Sequence, residues 1–64
     1  MKLFIDELNK EIYNKNEEVI STFSWDKRQK LYISKVVSSS FSKGYKFFYA
    51  KTTEQLIKQI KEKL

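Results

Sequence analysis

The chain has no cysteine, no histidine, no proline and one glycine, Gly44. Without cysteine there is no disulfide, and without histidine as well the usual zinc ligands are missing. The commonest general base and the best nucleophile are absent too, which argues against an enzyme. A lone glycine leaves no glycine-rich phosphate loop, and the adjacent acids Asp6-Glu7 and Glu17-Glu18 do not converge on one point. No cofactor or metal is expected. Long apolar runs are also missing: Leu3-Phe4-Ile5 is cut at once by Asp6-Glu7, which is neither a signal peptide nor a membrane span. These absences predict a soluble, cytoplasmic binding protein. With 64 residues it should form a single small domain over 1–64, with a thin margin of stability.

Aromatic residues make up 16% of the chain, enough to build a core without staples. Charge is unevenly placed. Residues 1–26 hold three lysines against six carboxylates, whereas residues 27–64 hold ten basic residues against two acids. An acidic first third and a basic remainder point to a polyanionic partner for the second part. A solvated lysine-rich surface accounts for the same composition.

Residues 3–15 carry Phe4, Ile5, Leu8 and Ile12 at helical spacing, with Glu7, Lys10, Glu11 and Asn14 opposite, which predicts a first helix. Residues 14–18 form a loop. VISTFSW (19–25), KLYISKVV (30–37) and the stretch at about 44–51 are rich in β-branched and aromatic residues and predict three strands. Thr52 as N-cap, with Gln55 three positions on, opens a last helix buried through Leu56, Ile57, Ile60 and Leu64. No repeat and no linker is evident. The expected fold is α+β, a two-layer α-β-β-β-α arrangement with a three-stranded antiparallel meander and both helices packed on one face.

Alternation assigns faces. The odd-numbered strand residues, among them Phe23, Trp25, Leu31, Ile33, Tyr45, Phe47 and Tyr49, are the more apolar and are expected under the helices. Phe23, Ile33, Phe47, Leu8 and Ile60 are the expected core. Pairing Trp25 with Leu31 and Phe23 with Ile33 needs an odd-length turn around Lys27-Arg28-Gln29. Lys35 falls on the same face and must snorkel or sit at a bulge. Tyr32, Val36, Lys46 and Phe48 are left on the open face, where a second copy could cover them as a symmetric dimer.

Two binding modes follow. Lys27, Arg28, Lys30 and Lys51 gather at one end of the sheet and Lys43 and Lys46 at the other, with Tyr32 and Phe48 between. Aromatic sheet faces edged by lysines stack single-stranded bases. The first expectation is therefore a non-enzymatic protein whose basic side contacts nucleic acid. The alternative is a phage- or mobile-element-type inhibitor or adaptor, anti-CRISPR-like, that grips an acidic host protein or nucleoprotein. Phe41, in the serine-rich loop, is its candidate anchor, or else a plug that folds back onto the core.

The α-β-β-β-α order is similar to the double-stranded RNA-binding domain and to the small HicA-type toxin ribonucleases built on that fold. The resemblance covers topology and no motif. The domain's Gly-Pro-x-His loop has no counterpart in DKRQK (26–30), Thr53-Glu54-Gln55 replaces its lysine cluster, and the toxins' histidine is missing. Strands 1–3 with the last helix also look like the arm-binding domains of phage integrases, by topology alone.

Overall fold

The computed structural model describes residues 2–64 and corrects the expected fold class. Five antiparallel strands form one open sheet, followed by a single helix: β1 (Leu3–Asp6), β2 (Glu11–Asn14), β3 (Val19–Asp26), β4 (Leu31–Val37), β5 (Tyr45–Ala50) and α1 (Thr53–Lys63). The strands lie in sequence order, β1-β2-β3-β4-β5. The predicted first helix does not exist. The similarity in order to the double-stranded RNA-binding domain, which needs that helix, goes with it.

Residues 3–15 instead form a hairpin, and the turn explains why. Asp6 Oδ1 accepts hydrogen bonds from the Leu8 and Asn9 amides at 3.0 and 3.1 Å, and Asn9 Nδ2 donates to Asp6 Oδ2 at 2.8 Å. Lys10 then adopts φ 57°, which reverses the chain. A short acidic side chain that holds its own backbone competes with helix formation. Leu8, the residue that completed the helical stripe, sits in this turn and is 90% exposed. The same turn recurs between β3 and β4. Asp26 Oδ1 accepts from the Arg28 and Gln29 amides, Gln29 Nε2 donates to Asp26 Oδ2 at 3.2 Å, and Lys30 takes φ 56°. Asp6-x-x-Asn9-Lys10 and Asp26-x-x-Gln29-Lys30 are thus one turn used twice, a short recurrence that corrects the expectation of no repeat. Between β2 and β3 Asn14 takes the capping part, accepting from the Asn16 and Glu18 amides, with Glu17 at φ 63°.

The recurring turn has four residues between paired positions, since Asp26 stands opposite Leu31. That even length sets Trp25 against Tyr32 and Phe23 against Ser34, not Leu31 and Ile33 as expected. Every β4 and β5 side chain therefore lies on the face opposite to the expected one, because a one-residue slip exchanges the faces. Lys35 needs neither snorkel nor bulge: its face is the open one. The sheet's irregularity lies elsewhere, between β2 and β3. There Ile12 pairs with Ser21 and Tyr13 with Val19, so Ile20 is the extra residue.

The core forms between the sheet and α1 from Leu3, Ile12, Phe23, Val36, Phe48, Ala50, Leu56 and Ile60. Of the five expected core residues, Phe23 and Ile60 are buried, Ile33 is half-buried, and Phe47 and Leu8 are exposed. The expected dimer surface of Tyr32, Val36 and Phe48 is not free, because these residues face α1. Thr52 caps the helix, its Oγ1 accepting from the Gln55 amide at 3.1 Å, and Lys61 and Lys63 in the last turn complement the helix dipole. Leu56 and Ile60 are its buried residues; Leu64 is exposed. No helix among the described residues is long and apolar enough to cross a membrane.

Candidate nucleic-acid interface

The stretch KGYKFFYAK (43–51) builds two surfaces from one strand. Phe48 and Ala50 point into the core, while Tyr45, Phe47 and Tyr49 stand on the open face at 40%, 45% and 47% exposure. Alternation along β5 makes this division, and Gly44 at φ 80° turns the chain into it from the 38–44 loop. In that loop the Ser38 amide donates to the Gly44 carbonyl and the Gly44 amide to the Phe41 carbonyl, at 3.0 and 2.9 Å.

The register of β4 against β5 sets Val37 opposite Tyr45, Lys35 opposite Phe47 and Ile33 opposite Tyr49. Lys35 Nζ lies 4.7 Å from the Tyr45 ring centre and 5.9 Å from that of Phe47, close enough for cation–π attraction. The Tyr45 and Phe47 rings meet edge-on, 5.8 Å apart. Lys43, in the turn before Gly44, and Lys51, directly after the strand, flank its two ends, and both are exposed. The outcome is a row of rings, Tyr45-Phe47-Tyr49, with Lys35 beside its middle and Lys43 and Lys51 beyond its ends.

The predicted site residues separate into three groups. Lys27, Arg28 and Lys30 are exposed at the β3–β4 turn, as their place at a turn tip led one to expect. Antiparallel order puts that turn, the end of β5 with Lys51 and the start of α1 at the same end of the sheet. Lys43 lies at the other end, in the 38–44 loop. Tyr32, Lys46 and Phe48 face the opposite side from the Tyr45 row and cannot belong to the same surface. Phe48 is 4% exposed core, Tyr32 packs between Phe23 and Trp25 with ring centres 5.9 and 4.8 Å away, and Lys46 Nζ lies 5.7 Å from the Phe48 ring centre. Phe41 is half-buried with its ring 6.2 Å from that of Phe48. It packs against the core as a plug and is not an exposed anchor.

Sequence reasoning missed Lys35, Tyr45, Phe47 and Tyr49 as surface residues. The signal was present in Lys35: one charge on an otherwise apolar parity class marks the exposed face.

The other half of the open face is acidic. Asp6, Glu11 and Glu17, with Tyr13 and Val19, line a shallow hollow on the β1–β2 side. Asp6 is held below the ordinary aspartate value of 3.8, chiefly by the Asn9 amide and side chain and further by the Leu8 amide. Among the described residues, no cluster of acidic side chains is placed to hold a metal ion. Compared with known proteins, the chain matches no family model, no curated protein and no solved structure.

Proposed function

We propose that the protein binds single-stranded nucleic acid without catalysing a reaction, through the β4–β5 half of the open face. The observation that carries this reading is the exposed row Tyr45-Phe47-Tyr49 with Lys35 against the Tyr45 and Phe47 rings. Bases of any identity stack on exposed aromatic rings, while lysines at the ends and middle of the row neutralise the backbone. Lys27, Arg28 and Lys30 extend the positive charge past the Lys51 end. The acidic β1–β2 half repels phosphate and confines the strand to β4 and β5. A duplex, whose bases are already stacked on one another, has no use for the rings.

Fluorescence anisotropy with labelled oligothymidylate, oligouridylate and duplex tests the reading. Single strands should bind more tightly than duplex. Phe47→Ala and Tyr49→Ala should each lose about 1–3 kcal/mol per stacked base. Changing Lys27, Arg28 and Lys30 together to Gln should flatten the dependence on salt by about one unit of slope per charge that touches phosphate. Absence of binding at low salt overturns the reading. A protein captured from lysate that stays bound after nuclease treatment would then bring the inhibitor or adaptor role to the front.

A further inference from the structure

A single row of side chains crosses the whole open face. Asp6 of β1 stands opposite Glu11 of β2, Glu11 opposite Thr22 of β3, Thr22 opposite Lys35 of β4, and Lys35 opposite Phe47 of β5. Charge along this row reverses about its midpoint: two carboxylates lie on one side of Thr22, and an ammonium and a ring on the other. Below it lie two apolar stretches at matching positions, Phe4 opposite Tyr13 and Tyr13 opposite Val19 on one side and Val37 opposite Tyr45 on the other, with the β3 bulge between them. Phe4, Val19, Val37 and Tyr45 are all exposed.

We infer that a second copy of this chain packs against the open face, related by a two-fold axis that runs along β3. A half-turn about that axis exchanges β1 with β5 and β2 with β4. It lays Glu11 over Lys35 of the second copy, and Lys35 over its Glu11. In the apolar row it lays Phe4 over Tyr45 and Tyr13 over Val37, twice each. An isologous interface must be complementary to itself; this face is so at the Glu11–Lys35 pairs and along the apolar row, while Asp6, at the edge, falls over the Phe47 ring of the second copy. Two twisted sheets packed face to face keep their strands within about 30°, which holds the rows in register near the axis.

The size fits as well. The molecule measures 30 × 26 × 17 Å, so the outline of its broad side is at most about 800 Å², which leaves room for a contact approaching the ~800 Å² per partner of a standard interface. Part of the excess positive charge stays out of the contact, since Lys58, Lys61 and Lys63 ride on α1, on the far side of the sheet. The inference is independent of nucleic-acid binding. Because it covers Lys35 and Phe47, self-pairing and strand binding exclude one another on the same face.

Analytical ultracentrifugation across a concentration series tests it. The wild-type chain should dimerise, and added salt should weaken the dimer. Glu11→Lys and Lys35→Glu should each be monomeric, because each sets like charges over one another at both contacts. An equimolar mixture of the two should dimerise again, because both contacts are then restored. Circular dichroism melts check that each variant keeps the fold. Thr22→Cys supplies a second measurement in a chain that has no other thiol. A short thiol-reactive linker should join two copies at position 22, on the axis, and should fail to join them in Lys58→Cys. A wild-type chain that stays monomeric overturns the inference. So does a dimer that both charge variants retain, a mixture no stronger than its components, or linking at position 58 in preference to 22.

Discussion

Ser21 and Ser34 face each other on the helix side of the sheet, the two buried polar residues in an otherwise apolar core. Ser34 Oγ lies 2.9 Å from the Thr22 carbonyl, Ser21 Oγ lies 2.9 Å from the Lys35 carbonyl, and the two hydroxyls also meet. Ser21 Oγ also lies 3.0 Å from the Thr22 carbonyl; with one proton each, the two hydroxyls donate in two of these four contacts at a time, and no buried side-chain polar atom among the described residues is left without a partner. Asp6 has a different and more exposed task. Its carboxylate ties down the β1–β2 turn, and the bonds that do so lower its pKa. A depressed pKa means that the stabilisation is fully present above the unfolded value and is lost as pH falls through the lower folded value. Acidification below the ordinary aspartate range should therefore loosen this turn. The Leu8 and Asn9 amides, followed by hydrogen exchange or chemical shift, should report it, and Asp6→Asn should show no such titration.

At the scale of the element, β5 is one strand with two duties, and adjacent substitutions should separate them. Phe48→Ala empties a core position and should cost about 3–5 kcal/mol, most of what a domain of this size has to lose. Phe47→Ala, one residue away on the open face, should melt close to wild type. Urea denaturation of the two variants checks the contrast. Their order is the reverse of what odd-number parity implies for the strand. Strands β3, β4 and β5 and the helix after Thr52 were legible, because β-branched and aromatic density and a capping hydroxyl act locally. The β1–β2 hairpin was not. Phe4, Ile5, Leu8 and Ile12 satisfy a helical stripe as well as they satisfy two short strands around a turn, and only the recurrence of Asp-x-x-(Asn/Gln)-Lys distinguishes them. The faces of β4 and β5 were misread because they depend on the count of turn residues, which composition does not supply. The same count decides the candidate row: odd-number parity leaves Tyr32 and Phe48 on the open face, whereas the register sets Tyr45, Phe47 and Tyr49 there.

For the whole molecule, α1 is the second layer. It packs on β5 and β4 and reaches across to β1, so the helix crosses the sheet from one edge to the other, with Leu56 and Ile60 buried beneath it. Replacing either with Ala should cost about 2–5 kcal/mol. Replacing both should leave no cooperative thermal transition, because five strands without a cover have only one side of a core. A melt that stays sharp in the double variant would mean that the sheet holds itself together without α1.

The strand order has a kinetic consequence. Each strand pairs only with its neighbour in the chain, so every strand pairing closes over a short loop, and such low contact order favours rapid folding. Hairpins form in about 1–10 μs, and each can form before the next is made. The exception is the meeting of α1 with β1, which joins opposite ends of the described chain. On a ribosome the strands can pair as they emerge, yet Leu3 and Ile12 stay uncovered until the last helix is released. The nascent chain therefore carries its greasiest surface longest, and chaperone contact should concentrate in that interval.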